Sequence, residues 1–130
     1  MEYKHGCYTA RWEGALLIVR QIGDATVDDV VWVGDLMLAQ AKLVGPIDVL
    51  ADLSQLGHVP PDARKQFSQH EVNHHIRSIA IFGVSVAMRA VATLALRASF
   101  LFSKKPGDMA FFSTENEARA WIHRQRSKRH

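Results

Sequence analysis

"IDVLADLSQLGHVPPDARKQFSQHEVNHHIRSIAIFG", residues 47–83, decides the fold. Ile47–Leu53 is apolar at nearly every position, the pattern of a strand buried on both faces. Ser54 to Val59 reads as a loop. Pro60-Pro61-Asp62 then opens a helix, because proline is tolerated in the first turn, where its missing N–H is not needed. This helix is expected to run to about His75. Ile76–Gly83 is a second β-rich run. Strands alternating with helices in this way predict a central sheet, mostly parallel after an opening hairpin.

The same alternation extends in both directions. Tyr8–Glu13 and Ala15–Ile22 read as strands joined by a tight turn at Glu13-Gly14. Thr26 opens a helix with Asp29 three residues on, a variant of the capping box. Val30, Val33, Met37, Ala41 and Val44 form its apolar stripe, and Gly45-Pro46 stops it. Downstream, Ser85 is placed to cap a third helix reaching about Ser99. Lys104–Asp108 reads as an exposed turn. Met109–Phe112 is a last short strand. Thr114 and Glu117 form a full capping box for a final helix, with Ala118, Trp121 and Ile122 on its inner face. The order is β-β-α-β-α-β-α-β-α. It predicts one α/β domain over residues 1–130: a mixed sheet of four or five strands, an N-terminal hairpin and about four helices.

Composition agrees with a globular chain. Of 130 residues, 48% are hydrophobic and 22% charged, which is ordinary for one domain with a real core. The polar start, Met1 to Gly6, lacks the apolar stretch of a signal peptide, and Cys7 is the single cysteine. Both predict a reducing cytoplasm and a quiet structural thiol. The net charge is +3. Arg119, Arg124, Arg126, Lys128 and Arg129 cluster in the basic helix end 119–130, leaving the rest mildly acidic. That pattern predicts a solvated helix end suited to the helix dipole, and no nucleic-acid surface.

Three stretches together carry a family resemblance: "VLADLSQLGHVPPDARKQF", "IRSIAIFG" and "FFSTENEARAWI". They resemble the SpoIIAA-like family, also described as STAS/SEC14-domain proteins. Its members show an apolar strand ending near Asp-Leu-Ser, a helix entered through proline, and a closing Phe-x-Ser/Thr-x-x-Glu-Ala-x-x-Trp-Leu. Phe112, Thr114, Glu117, Ala118, Trp121 and Ile122 stand at those places, with isoleucine replacing leucine. The resemblance implies a STAS-like fold and a regulatory role. In STAS-type anti-sigma-factor antagonists a serine at the comparable strand end is phosphorylated, which implies Ser54 as a candidate switch. Here Gln55 to Pro60 separate it from the next helix, so a local turn hydrogen bond is its blander role.

His70-Glu71-Val72-Asn73-His74 spells H-E-x-x-H. On one helix, histidines four apart share a face and can ligate zinc, with the glutamate as general base. That is the rival reading, a metal-dependent hydrolase, and His58 is the third ligand it would recruit. Against it, Ala63, Phe67, His70 and His74 share the stripe that packs on the sheet, and the helix ends almost at His74. The expectation is therefore no metal and no cofactor.

The helix from Val86 to Ser99, followed by Phe100–Phe102, carries Arg89, Thr93 and Arg97 on one narrow polar stripe. Nearly everything else on it is apolar. It is too interrupted to span a membrane, yet it needs cover on more than one face. A homodimer interface is one cover, and a lipid-like ligand beside Arg89 and Arg97 is another. The function expected is a non-enzymatic, cytoplasmic interaction or regulatory module. Ser54, His58, Arg89 and Arg97 form its candidate ligand or partner surface.

Overall fold

A computed structural model describes residues 1–90 and 109–128. Its sheet has six strands in chain order: β1 Glu2–His5, β2 Tyr8–Glu13, β3 Leu16–Gly23, β4 Ile47–Leu56, β5 Ile76–Phe82 and β6 Met109–Phe112. The first three are antiparallel, and β3 through β6 are parallel. Helix α1 (Val27–Val44) joins β3 to β4. Helix α2 (Pro61–Ser68) and a 3₁₀ turn (Glu71–His74) join β4 to β5. Residues 86–90 are helical, and α3 (Glu115–Lys128) closes the chain.

The sheet is covered on both faces because its strands are apolar on both. Leu17, Val19, Val49, Ala51, Ile79 and Ile81 point to one face and pack with Val33, Met37 and Ala41 of α1. Leu16, Leu50 and Ala80 point to the other, against Ala118 and Ile122 of α3. The N-cap residues Thr26 and Thr114 read from sequence are in place, but only the first makes a full capping box. Thr26 and Asp29 exchange both capping-box bonds. Thr114 Oγ1 accepts from the Glu117 N–H and bonds the Glu117 carboxylate.

Four expectations need correction. The sheet has six strands, one more than the upper count, because Glu2–His5 pairs with β2 through a two-residue turn at Gly6-Cys7. Gly6 takes φ 54° there, the positive value that the first turn position of such a hairpin favours. Strand β4 runs on to Leu56, so Ser54 lies inside it and not in a loop. Val44 leaves the α1 stripe at 50% exposure. Finally, the helix expected over 60–75 is broken: α2 stops at Ser68, and His70 caps a separate 3₁₀ turn. Asn73, buried at 5%, holds the break by donating to the Phe67 and His70 carbonyls.

Candidate functional site

The break in the second helix dismantles the H-E-x-x-H geometry. His70 and His74 do not share one α-helix. The His70 side chain is 8% exposed, and both ring nitrogens are occupied. Nδ1 accepts the Val72 N–H at 3.0 Å, and Nε2 lies 2.9 Å from Asp35 Oδ1. The ring lies so close to Gly34 of α1 that a Cβ there would sit 2.5 Å from it. His70 therefore ties the 3₁₀ turn to α1. Glu71 and His74 are exposed. His58 is exposed too, and its backbone N–H donates to Asp24 Oδ1 at 2.7 Å. Among the described residues no group of three or more His, Cys, Asp or Glu is placed to hold a metal ion.

Ser54 sits at the exposed, C-terminal end of β4. Its hydroxyl donates to Asp52 Oδ1 at 2.7 Å and its N–H to the same oxygen at 3.0 Å. Arg20, on the neighbouring strand, donates to Asp52 Oδ2 at 3.1 Å. Burial pushes the Asp52 carboxyl up, but the Ser54 and Arg20 bonds outweigh it and hold the group below its ordinary value. The three side chains share one face because residues two apart on a strand do. They make a charged ledge bounded by β5. Arg89 also lies near this end of the sheet: its guanidinium donates to Ser113 Oγ at 3.3 Å. Arg97, Thr93 and the rest of the apolar segment through Phe102 lie outside the described residues.

Sequence reasoning missed a cavity. Between the sheet and the α1–α2 layer is an apolar space of about 210 Å³. Val19, Val49, Ala51, Ile79 and Ile81 form its floor, and Val33, Met37 and Phe67 form its roof. Its polar lining is the half-buried Tyr8, the buried Gln21, which donates to the Gly23 carbonyl, and the exposed Arg64. A close-packed interior holds few voids larger than a water. This one opens partly to solvent, and its volume exceeds that of the roughly 150 Å³ engineered cavity that admits a benzene. Its chemistry suits an apolar group with at most one acidic end, met by Arg64. No single motif encodes it, because its walls come from six elements, β2 to β5 with α1 and α2.

Two further features are structural. Cys7 is buried in the turn between β1 and β2. Burial, then the bond and charge of Asp29, push its thiol up to about 12, so it is inert at neutral pH. The basic helix end is also less free than its sequence implies. Arg119 binds Glu13 at 2.9 Å and Glu115 at 2.7 Å. Arg126 donates to the fully buried Asp48 at 2.8 Å.

The sequence model of the SpoIIAA-like family matches residues 16–123. A search of curated proteins finds no match to the chain. The described residues include no helix long and apolar enough to cross a membrane. With most of the chain inside the match, the protein belongs to the SpoIIAA-like family.

Proposed function

We propose that this domain is a non-enzymatic regulatory module that takes a small apolar ligand between its sheet and the α1–α2 layer. The observation that carries the reading is the cavity of about 210 Å³, walled by valine, isoleucine, methionine and phenylalanine, with Arg64 as its exposed cation. Such a space favours apolar occupancy, since burying a CH₂ group is worth about 0.8 kcal/mol. A medium-chain acyl group or a small aromatic acid fits its size and polarity. Family membership supports a regulatory role exerted through a protein partner. The Arg20–Asp52–Ser54 ledge offers that partner the exposed Arg20 and Ser54 around a mostly buried Asp52, and Ser54 is the residue on it open to phosphorylation. A cytoplasmic setting fits the single unpaired thiol of Cys7.

Native mass spectrometry of the untagged protein tests the reading. The wild type is expected to carry or accept one small hydrophobic molecule per chain. Ala51→Phe, which fills the cavity from its floor, is expected to remove that mass while leaving the fold intact. A wild type that neither retains nor accepts such a molecule overturns the proposal.

A further inference from the structure

Among the described residues the outer edge of β1 has no neighbour in the sheet. Which of its backbone groups face outward follows from the ladder. The Ile22 N–H bonds the Cys7 carbonyl at 2.8 Å. By antiparallel alternation, Thr9 and Arg11 of β2 then bond toward β3, and Tyr8 and Ala10 bond toward β1. Their partners on β1 are His5 and Tyr3. The N–H and C=O groups of Glu2 and Lys4 are left pointing away from the molecule. All four residues of β1 are exposed, and neither Glu2 nor Lys4 is ion-paired with another described residue.

An unpaired edge is a template for another strand unless its side chains forbid pairing. Here the side chains select one register. In antiparallel self-pairing, only Glu2 and Lys4 can exchange hydrogen bonds across the new edge. Glu2 opposite Glu2, or Lys4 opposite Lys4, sets like charges face to face. The remaining register sets Glu2 against the partner's Lys4 and Lys4 against the partner's Glu2. It uses all four outward backbone groups and brings the two Tyr3 rings together on the opposite face. That arrangement is its own twofold image, as an isologous dimer requires.

We propose that β1 is a homodimerisation edge. Two copies of this chain join β1 to β1, antiparallel, about a twofold axis between their Tyr3 residues, and the six-stranded sheet becomes continuous across the pair. The occupant is a second copy, because the alternation of acid and base along Glu2-Tyr3-Lys4 complements itself.

Sedimentation velocity on the full chain with a free N-terminus tests this, with circular dichroism confirming the fold of each variant. The wild type is expected to dimerise with rising concentration. Each single reversal, Glu2→Lys or Lys4→Glu, alters both rungs by symmetry and is expected to weaken dimerisation about tenfold. The double swap Glu2→Lys/Lys4→Glu restores opposite charges on both rungs and is expected to recover it. Lys4→Pro, which removes an outward N–H and leaves the bonds to β2 alone, is expected to abolish it. A monomer at all concentrations overturns the proposal. So does a dimer indifferent to Lys4→Glu and Lys4→Pro, or one that the double swap does not restore.

Discussion

The Nε2 of His70 lies 2.9 Å from Oδ1 of Asp35, a residue of α1, while the Nδ1 of the same ring accepts the Val72 N–H. An Nδ1 that accepts carries no proton, so the neutral ring has its hydrogen on Nε2 and donates it to Asp35. The histidine that sequence alone offers as a zinc ligand is thus committed on both sides. It caps one element and fastens it to another.

The two histidines of the motif should therefore behave unequally. His70→Ala removes a cap, a buried ring packed on Gly34 and a hydrogen bond to the exposed Asp35 carboxylate, and is expected to cost about 2 kcal/mol. His74→Ala, at an exposed position, should change stability by less than about 0.5 kcal/mol. Urea unfolding at neutral pH measures both. Equal costs that appear only when zinc is present would revive the metal-site reading.

A second expectation concerns the closing helix. Asp48 is fully buried, bonded to the Ser78 hydroxyl and to Arg126 of α3, with Arg77 3.8 Å away. Removing one partner of a buried charge leaves that charge uncompensated. Arg126→Ala is expected to destabilise the fold by about 2 kcal/mol, moderated by Arg77. The exposed Arg124→Ala should be nearly silent, although the two arginines look alike in sequence. Thermal unfolding of the two variants side by side makes the comparison.

The acid limb of stability should carry the signature of Asp29. Burial pushes this carboxyl up, but bonds from the Thr26 backbone, the Cys7 thiol and the Thr26 hydroxyl outweigh it and hold the group below its ordinary value. The folded state therefore binds its proton less readily than the unfolded chain, whose carboxyl titrates near about pH 4. The stabilisation is present above that value and is lost as pH falls through the lower, folded one. Asp52 shifts in the same direction and adds to the loss. The urea midpoint is expected to drop as pH falls below about 4, and Asp29→Asn should flatten that drop.

The thiol beside Asp29 gives an independent check. With its pKa pushed up to about 12, Cys7 should react with a thiol-specific reagent at pH 8 about a thousandfold more slowly in the native protein than in urea. A comparable native rate would mean that the β1–β2 turn opens readily.

These cases also show what the chain discloses by itself. The ends of α1 and α3 were legible, because capping is local: Thr26 with Asp29 and Thr114 with Glu117 act within one turn. Strands β5 and β6 were legible from apolar runs bounded by breakers. β1 was not, since Glu2–His5 is exposed at every position and offers no alternation to detect. The break at Gln69-His70 was hidden too. The stripe Ala63, Phe67, His70, His74 fits one helix, and only the buried Asn73 amide and the approach of His70 to Gly34 end it. The cavity is a property of how six elements fail to fill the space between them. No window of sequence holds that information.

The central claim is that this space takes an apolar ligand, and methyl-resolved NMR during a titration with decanoate tests it most directly. The account predicts saturable shifts in the methyls of Val33, Val49, Ile79 and Ile81, with those of Leu16 and Leu50 on the opposite face unmoved. In Ala51→Phe the shifts should vanish, and in Arg64→Ala they should need a higher decanoate concentration. Shifts that never saturate, or that appear equally on both faces of the sheet, would contradict it.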